Sequence, residues 1–160
     1  MVEMVSITNN LKRLFNRLSK FPDLFVLHKQ TNQNIDEYFE TLGYSDLPLE
    51  FLAFISLVDG LKLDNIQIFS VNDNPNFITL KFEDYSSHMA VQNFCSNWIN
   101  NKNYFFFASD SKGGRFAFDL CTNDGLVYYL SPANMGQTIA YGTFISWLED
   151  VIEKTIQNSI

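Results

Sequence analysis

The chain has 160 residues, 46% of them hydrophobic and 16 of them Phe, enough apolar side chain to bury a core in one domain and too much for a disordered segment. The formal net charge of −7 argues against a binder of phosphate backbones, whose affinity comes from Lys and Arg; it permits a basic protein partner, or serves only to keep the chain in solution. The two cysteines, Cys95 and Cys121, fit neither a metal-ligand spacing nor a disulfide framework and are expected to be buried thiols in a reducing compartment.

The first residues lack the basic start and apolar run of a secretory signal, and no stretch approaches the roughly 20 apolar residues of a membrane span. A cytoplasmic location is the expectation. The first predicted element is an amphipathic helix over 8–20, capped by Thr8, with Ile7, Leu11, Leu14, Phe15 and Leu18 inward. Pro22 stops it. FVLH, within 23–33, reads as a short strand, and His28 there has no ligand partner at useful spacing. A second helix follows over 34–42, capped at Asn34 and ended by Gly43.

Residues 47–60, LPLEFLAFISLVDG, form a regular apolar pattern: Pro48 at the first helical position, Phe51, Leu52, Ile55 and Val58 as a stripe, Gly60 as a left-handed C-cap. Ile66 and Ile68 then alternate with polar neighbours as a half-buried strand. NDNPN at 72–76 is a turn. FITLKF at 77–82 is a strand expected to pair back as a hairpin, and the segment from Glu83 to Asn101 is expected to be mainly helical. His88 stands alone within it.

The stretch 104–130 reads as three strands with aromatic residues on both faces, which places it mid-sheet with cover on both sides. DSKGG and TNDG are its turns, with Gly113 and Gly114 tolerating positive φ. SPANMGQ is a loop. A last helix begins near Thr143, with Phe144, Ile145, Leu148, Val151 and Ile152 inward. No linker, repeat or second domain interrupts residues 1–160.

The most tempting chemistry is the carboxylate set Asp110, Asp119 and Asp124, since paired carboxylates can divide acid and base roles. Turn chemistry accounts for them better: Asp110 opens a turn, Asp124 belongs to an Asp-Gly turn, and Asp119 is four residues from Arg115 on one strand face. SKGGR leads into a strand rather than a helix N-terminus, so it is a hairpin and not a phosphate cradle. No nucleophile elbow accompanies Ser109. No catalytic residue, cofactor site or metal site is expected.

Three stretches in order, LPLEFLAFISLVDG, ASDSKGGRFAFDL with NDGLVYYL, and YGTFISWLEDVIEK, resemble the SMI1/KNR4 (SUKH) superfamily from about residue 45 to 156. The residues carrying the resemblance are Leu47, Pro48, Phe51, Gly60, Asp110, Gly113, Asp119, Gly125 and Val127. Asp59 departs from the asparagine that often precedes the helix-ending glycine. The resemblance implies a single α+β domain: a mainly antiparallel sheet of about six strands with helices packed over it. It further implies a non-enzymatic protein, of the kind that in bacteria binds and neutralises a polymorphic toxin, often a nuclease or deaminase, encoded nearby. On that reading Asp59, Asp64, Glu83 and Asp84 are the candidate partner contacts. The alternatives are a regulatory scaffold without a toxin partner, and a ligand binder or enzyme using Asp110 and Asp119. An exposed strand edge leaves self-association open.

Overall fold

Strand β4, Tyr104–Asp110, runs through the middle of the molecule. The computed structural model describes residues 2–72, 80–86, 94, 104–131 and 139–160. Around β4 lie β1 (Val26–Lys29), β2 (Val58–Lys62), β3 (Ile66–Ile68), β5 (Arg115–Asp119), β6 (Leu126–Leu130) and β7 (Ile139–Thr143). Their order in the sheet is their order in the chain, and each pairs antiparallel with the next. The sheet is thus a seven-stranded meander, one strand more than expected. Helices α1 (Val2–Ser19), α2 (Ile35–Thr41), α3 (Leu49–Leu57), α4 (Phe82–Tyr85) and α5 (Phe144–Asn158), with a 3-10 turn at Pro22–Leu24, accompany the sheet among the described residues of this α+β domain.

Pairing fixes which side chains share a face. Phe105 pairs with Phe118 and Phe106 with Ala117, so alternation sends Phe105 and Phe118 to one side and Phe106 to the other. On the first side sits Phe51 of α3, fully buried. Its ring lies 5.4–5.8 Å from those of Phe105, Phe107, Phe118 and Phe144. Burying such a side chain contributes about 1.5–3 kcal/mol, and edge-to-face pairing adds to that. α1 and α5 close this layer, with Leu11, Leu14, Leu148 and Ile152 fully or almost fully buried.

On the second side Phe94 meets Phe106 edge-on at 5.2 Å. The Arg115 guanidinium lies over Tyr85 and Phe94, 4.9 and 4.8 Å from the ring centres, and the Ser86 hydroxyl donates to the Phe106 carbonyl. This second cover is why Tyr104 through Ser109 are all buried, as expected of a strand apolar on both faces.

Several local expectations are corrected. The first helix starts at Val2, so Thr8 lies inside it rather than capping it. Pro48 occupies the position before α3, and α3 stops at Leu57. Val58 and Gly60 belong to β2. Gly60 has φ +90°, and a Cβ there would meet Ile68 O and Ser70 Cβ at 3.2 Å; it lets β2 lie close to its neighbour rather than ending a helix. Asn34 and Thr143 make no side-chain cap bond. The α5 terminus is capped instead by Glu50 of α3, whose Oε1 accepts the Ile145 N–H at 2.8 Å. Phe82 opens α4 rather than ending a strand, and Lys81 bridges Ser70 in parallel. Cys121 is exposed, not buried. The remaining expectations for 73–79, 87–93, 95–103 and 132–138, including Cys95 and His88, lie outside the described residues.

Candidate partner-binding surface

Strand and turn geometry decides which of the singled-out carboxylates are available. Asp59 is 5% exposed. Its Oδ1 accepts the Val71 N–H at 2.6 Å, and its Oδ2 accepts the Asn72 N–H at 3.2 Å and the Asn72 side-chain amide at 3.0 Å. Gln30 Nε2 reaches both Ile55 O, at 2.9 Å, and Asp59 Oδ1, at 3.4 Å. A buried carboxylate is tolerated only when donors surround it. Asp59 is therefore an internal bracket joining the end of α3 to residues 71–72, and not a surface contact.

The paired carboxylates of the meander are also occupied. Asp110 Oδ1 accepts the backbone N–H of Lys112 at 3.0 Å and of Gly114 at 2.8 Å, and its Oδ2 accepts the Tyr129 hydroxyl at 2.5 Å. Asp119, 4% exposed, accepts the Cys121 N–H at 3.0 Å. Asp124 accepts the Leu126 N–H at 3.0 Å and the Tyr128 hydroxyl at 2.5 Å. Asp119 faces Tyr104 across the ladder, while Asp110 ends the same β4 strand. Six strand residues separate the two positions by about 20 Å. They cannot act on one substrate bond.

These bonds shift the tyrosines. Tyr129 is pushed up to about 12 by burial and by its bond to Asp110. Tyr128 is pushed up to about 12 by its bond to Asp124, with burial second. Burial alone would raise Asp124, but the donors around it outweigh that and hold it below the usual carboxylate value. Burial and turn hydrogen bonds together account for all three shifts, with no reacting group required.

Asp64, Glu83 and Asp84 remain exposed, and they do not converge. Asp64 sits in the β2–β3 turn, at the end of the sheet opposite Asp59. Glu83 and Asp84 lie on α4, next to Ser70. Glu83 there pairs with Lys81 at 2.6 Å, and its charge helps to raise the Tyr38 phenol to about 12, after burial as the larger cause.

Asp64 borders a groove that sequence reasoning does not assemble. One concavity of about 200 Å³ is lined by Ile66, Phe116, Tyr141, Trp147 and Val151 among others. A second, of about 470 Å³, is lined by Asp23, Leu24, Val26 and Lys62 among others. Both include Asp64, Thr155 and Asn158, so they adjoin along α5 as the two halves of a groove. The one local signal for it is an aromatic, Tyr141, placed next to Gly142 just before a helix start. Among the described residues no group of three or more His, Cys, Asp or Glu is arranged to hold a metal ion, and no helix is long and apolar enough to cross a membrane.

The family model for SMI1 / KNR4 (SUKH-1) matches residues 29–150. The chain belongs to this family. No curated protein matches it. SUKH domains are associated with immunity proteins and are generally non-enzymatic. The match starts after α1 and stops inside α5, yet both helices are integral to the core. Leu11 and Leu14 of α1 are buried, and Arg17 holds Glu153 of α5 at 3.0 Å.

Proposed function

We propose that this SUKH protein is a cytoplasmic immunity protein: a binding domain that holds a toxin domain, of nuclease or deaminase type, and blocks its active site by occupying the approach to it. The observation that carries the reading is the family match over 29–150, in a family whose members are associated with immunity. The occupied state of Asp110 and Asp119, each bound by turn amides, favours binding over catalysis. The charge of −7 suits a toxin that carries basic residues to hold nucleic acid, because opposite potentials speed encounter and reject wrong partners. Asp64, Glu83 and Asp84 are the sequence-predicted acids exposed for such a contact.

The test is co-expression with the C-terminal domain of the protein encoded next to it. Growth should be rescued, and the two proteins should co-purify in a fixed ratio. If no neighbouring toxin is neutralised, the immunity reading fails.

A further inference from the structure

We propose that the groove along α5 is the docking surface for the partner, and that its occupant is an extended protein segment alternating cationic and bulky apolar side chains. The inference rests on the binding reading above and adds the surface and the chemistry of what fits it.

The groove is sized for such a segment. Trp147, Asp150, Val151, Lys154, Thr155 and Asn158 fall on one face of α5, because steps of three and four residues return to the same side of a helix. From Trp147 to Asn158 the helix rises about 16 Å. An extended chain covers that length in about five residues.

The floor is apolar and the rim is acidic. Phe116 and Trp147 are packed, with ring centres 5.0 Å apart, and Tyr141 stands above them at 37% exposure. Val26 adds exposed apolar surface at 39% in the adjoining half. Asp23 and Asp64 form no ion pair among the described residues. Asp150 is paired with Lys154 at 3.0 Å, both largely exposed, and such a pair exchanges readily for another cation. Among the described residues, Lys62 is the other basic residue on the rim. The C-terminal end of α5 carries a partial negative charge, and its last turn holds no basic residue to neutralise it. An arginine entering here meets two unpaired carboxylates and a helix C-terminus, while its apolar neighbour meets Tyr141 and the aromatic floor.

Much of this wall lies outside the family match. Asp23, Leu24, Val26, Thr155 and Asn158 fall before 29 or after 150.

The test uses the isotope-labelled full chain and an acetylated, amidated pentapeptide of alternating Arg and Leu, with an alternating Glu and Leu peptide as control. Backbone amide shifts should concentrate at Leu24, Asp64, Tyr141, Thr155 and Asn158. The Arg peptide should bind about tenfold tighter than the control, and 0.5 M salt or Asp23→Lys with Asp64→Lys should remove that preference. Both substituted residues are exposed, so an unchanged melting temperature checks the fold. Equal response to both peptides, shifts elsewhere, or shifts that arise from a self-dimer lost in Tyr141→Ala would overturn the proposal. In co-expression, rescue by the wild type that persists undiminished in the Asp23→Lys, Asp64→Lys variant refutes the groove and leaves the immunity reading intact. Absence of any wild-type rescue refutes the immunity reading, and the peptide mapping still decides the groove.

Discussion

Replacing Gly114 by Ala should destabilise the protein by about 2–4 kcal/mol, for a reason unrelated to backbone freedom. Gly113, not Gly114, holds the positive φ of this turn, at 86°. A Cβ built on Gly114 instead falls on the Tyr129 hydroxyl and its ring edge. That ring cannot swing aside without loss. Its hydroxyl donates to Asp110 at 2.5 Å, and its ring centre lies 5.0 Å from that of Phe116. Displacing it breaks a hydrogen bond to a charged group, worth about 1.5–3 kcal/mol, and adds overpacking strain of about 1–3 kcal/mol; partial relaxation keeps the sum below the two maxima. At this chain length the melting temperature should fall by about 5–15 °C. The measurement is a double-mutant cycle by urea unfolding, with Gly114→Ala, Tyr129→Ala and both together. Once Tyr129 is truncated, the alanine has room, so the second substitution should cost under about 0.5 kcal/mol in that background. If the two costs simply add, or if Gly114→Ala alone is neutral, the close approach of Tyr129 is not what requires glycine.

Asp59→Ala should cost about 3 kcal/mol, since it strands the buried Val71 N–H along with the Asn72 and Gln30 amides; equilibrium unfolding checks it, and a change near zero would refute the bracket. Glu50→Ala should cost about 1 kcal/mol by uncapping α5, and Glu50→Gln, which keeps an acceptor oxygen, should recover most of it in the same assay. The raised phenols of Tyr128 and Tyr129, at about 12, contribute stability that is fully present below the unfolded value of about 10 and lost as pH rises through about 12. Tyrosinate absorbance should therefore show a late component near pH 12 that shrinks in Tyr128→Phe and again in Tyr129→Phe; titration of every tyrosine near 10 in the folded protein would contradict the two short bonds.

Residues 104–130 were legible because strand alternation and turn chemistry are local. Asp110, Gly113, Asn123, Asp124 and Gly125 sit in the turns their residue types favour, with Asn123 at φ 50° and Gly125 at φ 74°. The misreadings share a different cause. Gly60 looks like a helix cap until β3 is placed beside it. Thr143 looks like the α5 cap until Glu50 arrives from 95 residues away. β7 is short and glycine-bearing, and only its pairing with β6 makes it a strand. Gly114 looks like a turn glycine until Tyr129 returns across the sheet. In each case the deciding neighbour sits on another element, brought in by a chain reversal or, for Glu50, by packing of a distant helix, so the local residue pattern does not show it. The groove is the extreme case, drawn from the approach to β1, the β2–β3 turn, β5, β7 and α5.

The distribution of acidic residues separates scaffold from surface. Asp59, Asp110, Asp119 and Asp124 all accept backbone N–H groups, and their charge is already engaged in holding the chain where it turns. A carboxylate saturated in this way offers little to a partner, because binding would have to displace a donor that the fold needs. Asp23 and Asp64 make no such commitment, and both lie on the groove along α5. Substituting the first set should therefore show up as lost stability, with binding per folded molecule unchanged. Substituting the second should show up as lost binding at unchanged stability. A binding defect in folded Asp110→Asn, or a stability defect in Asp64→Asn, would break that division.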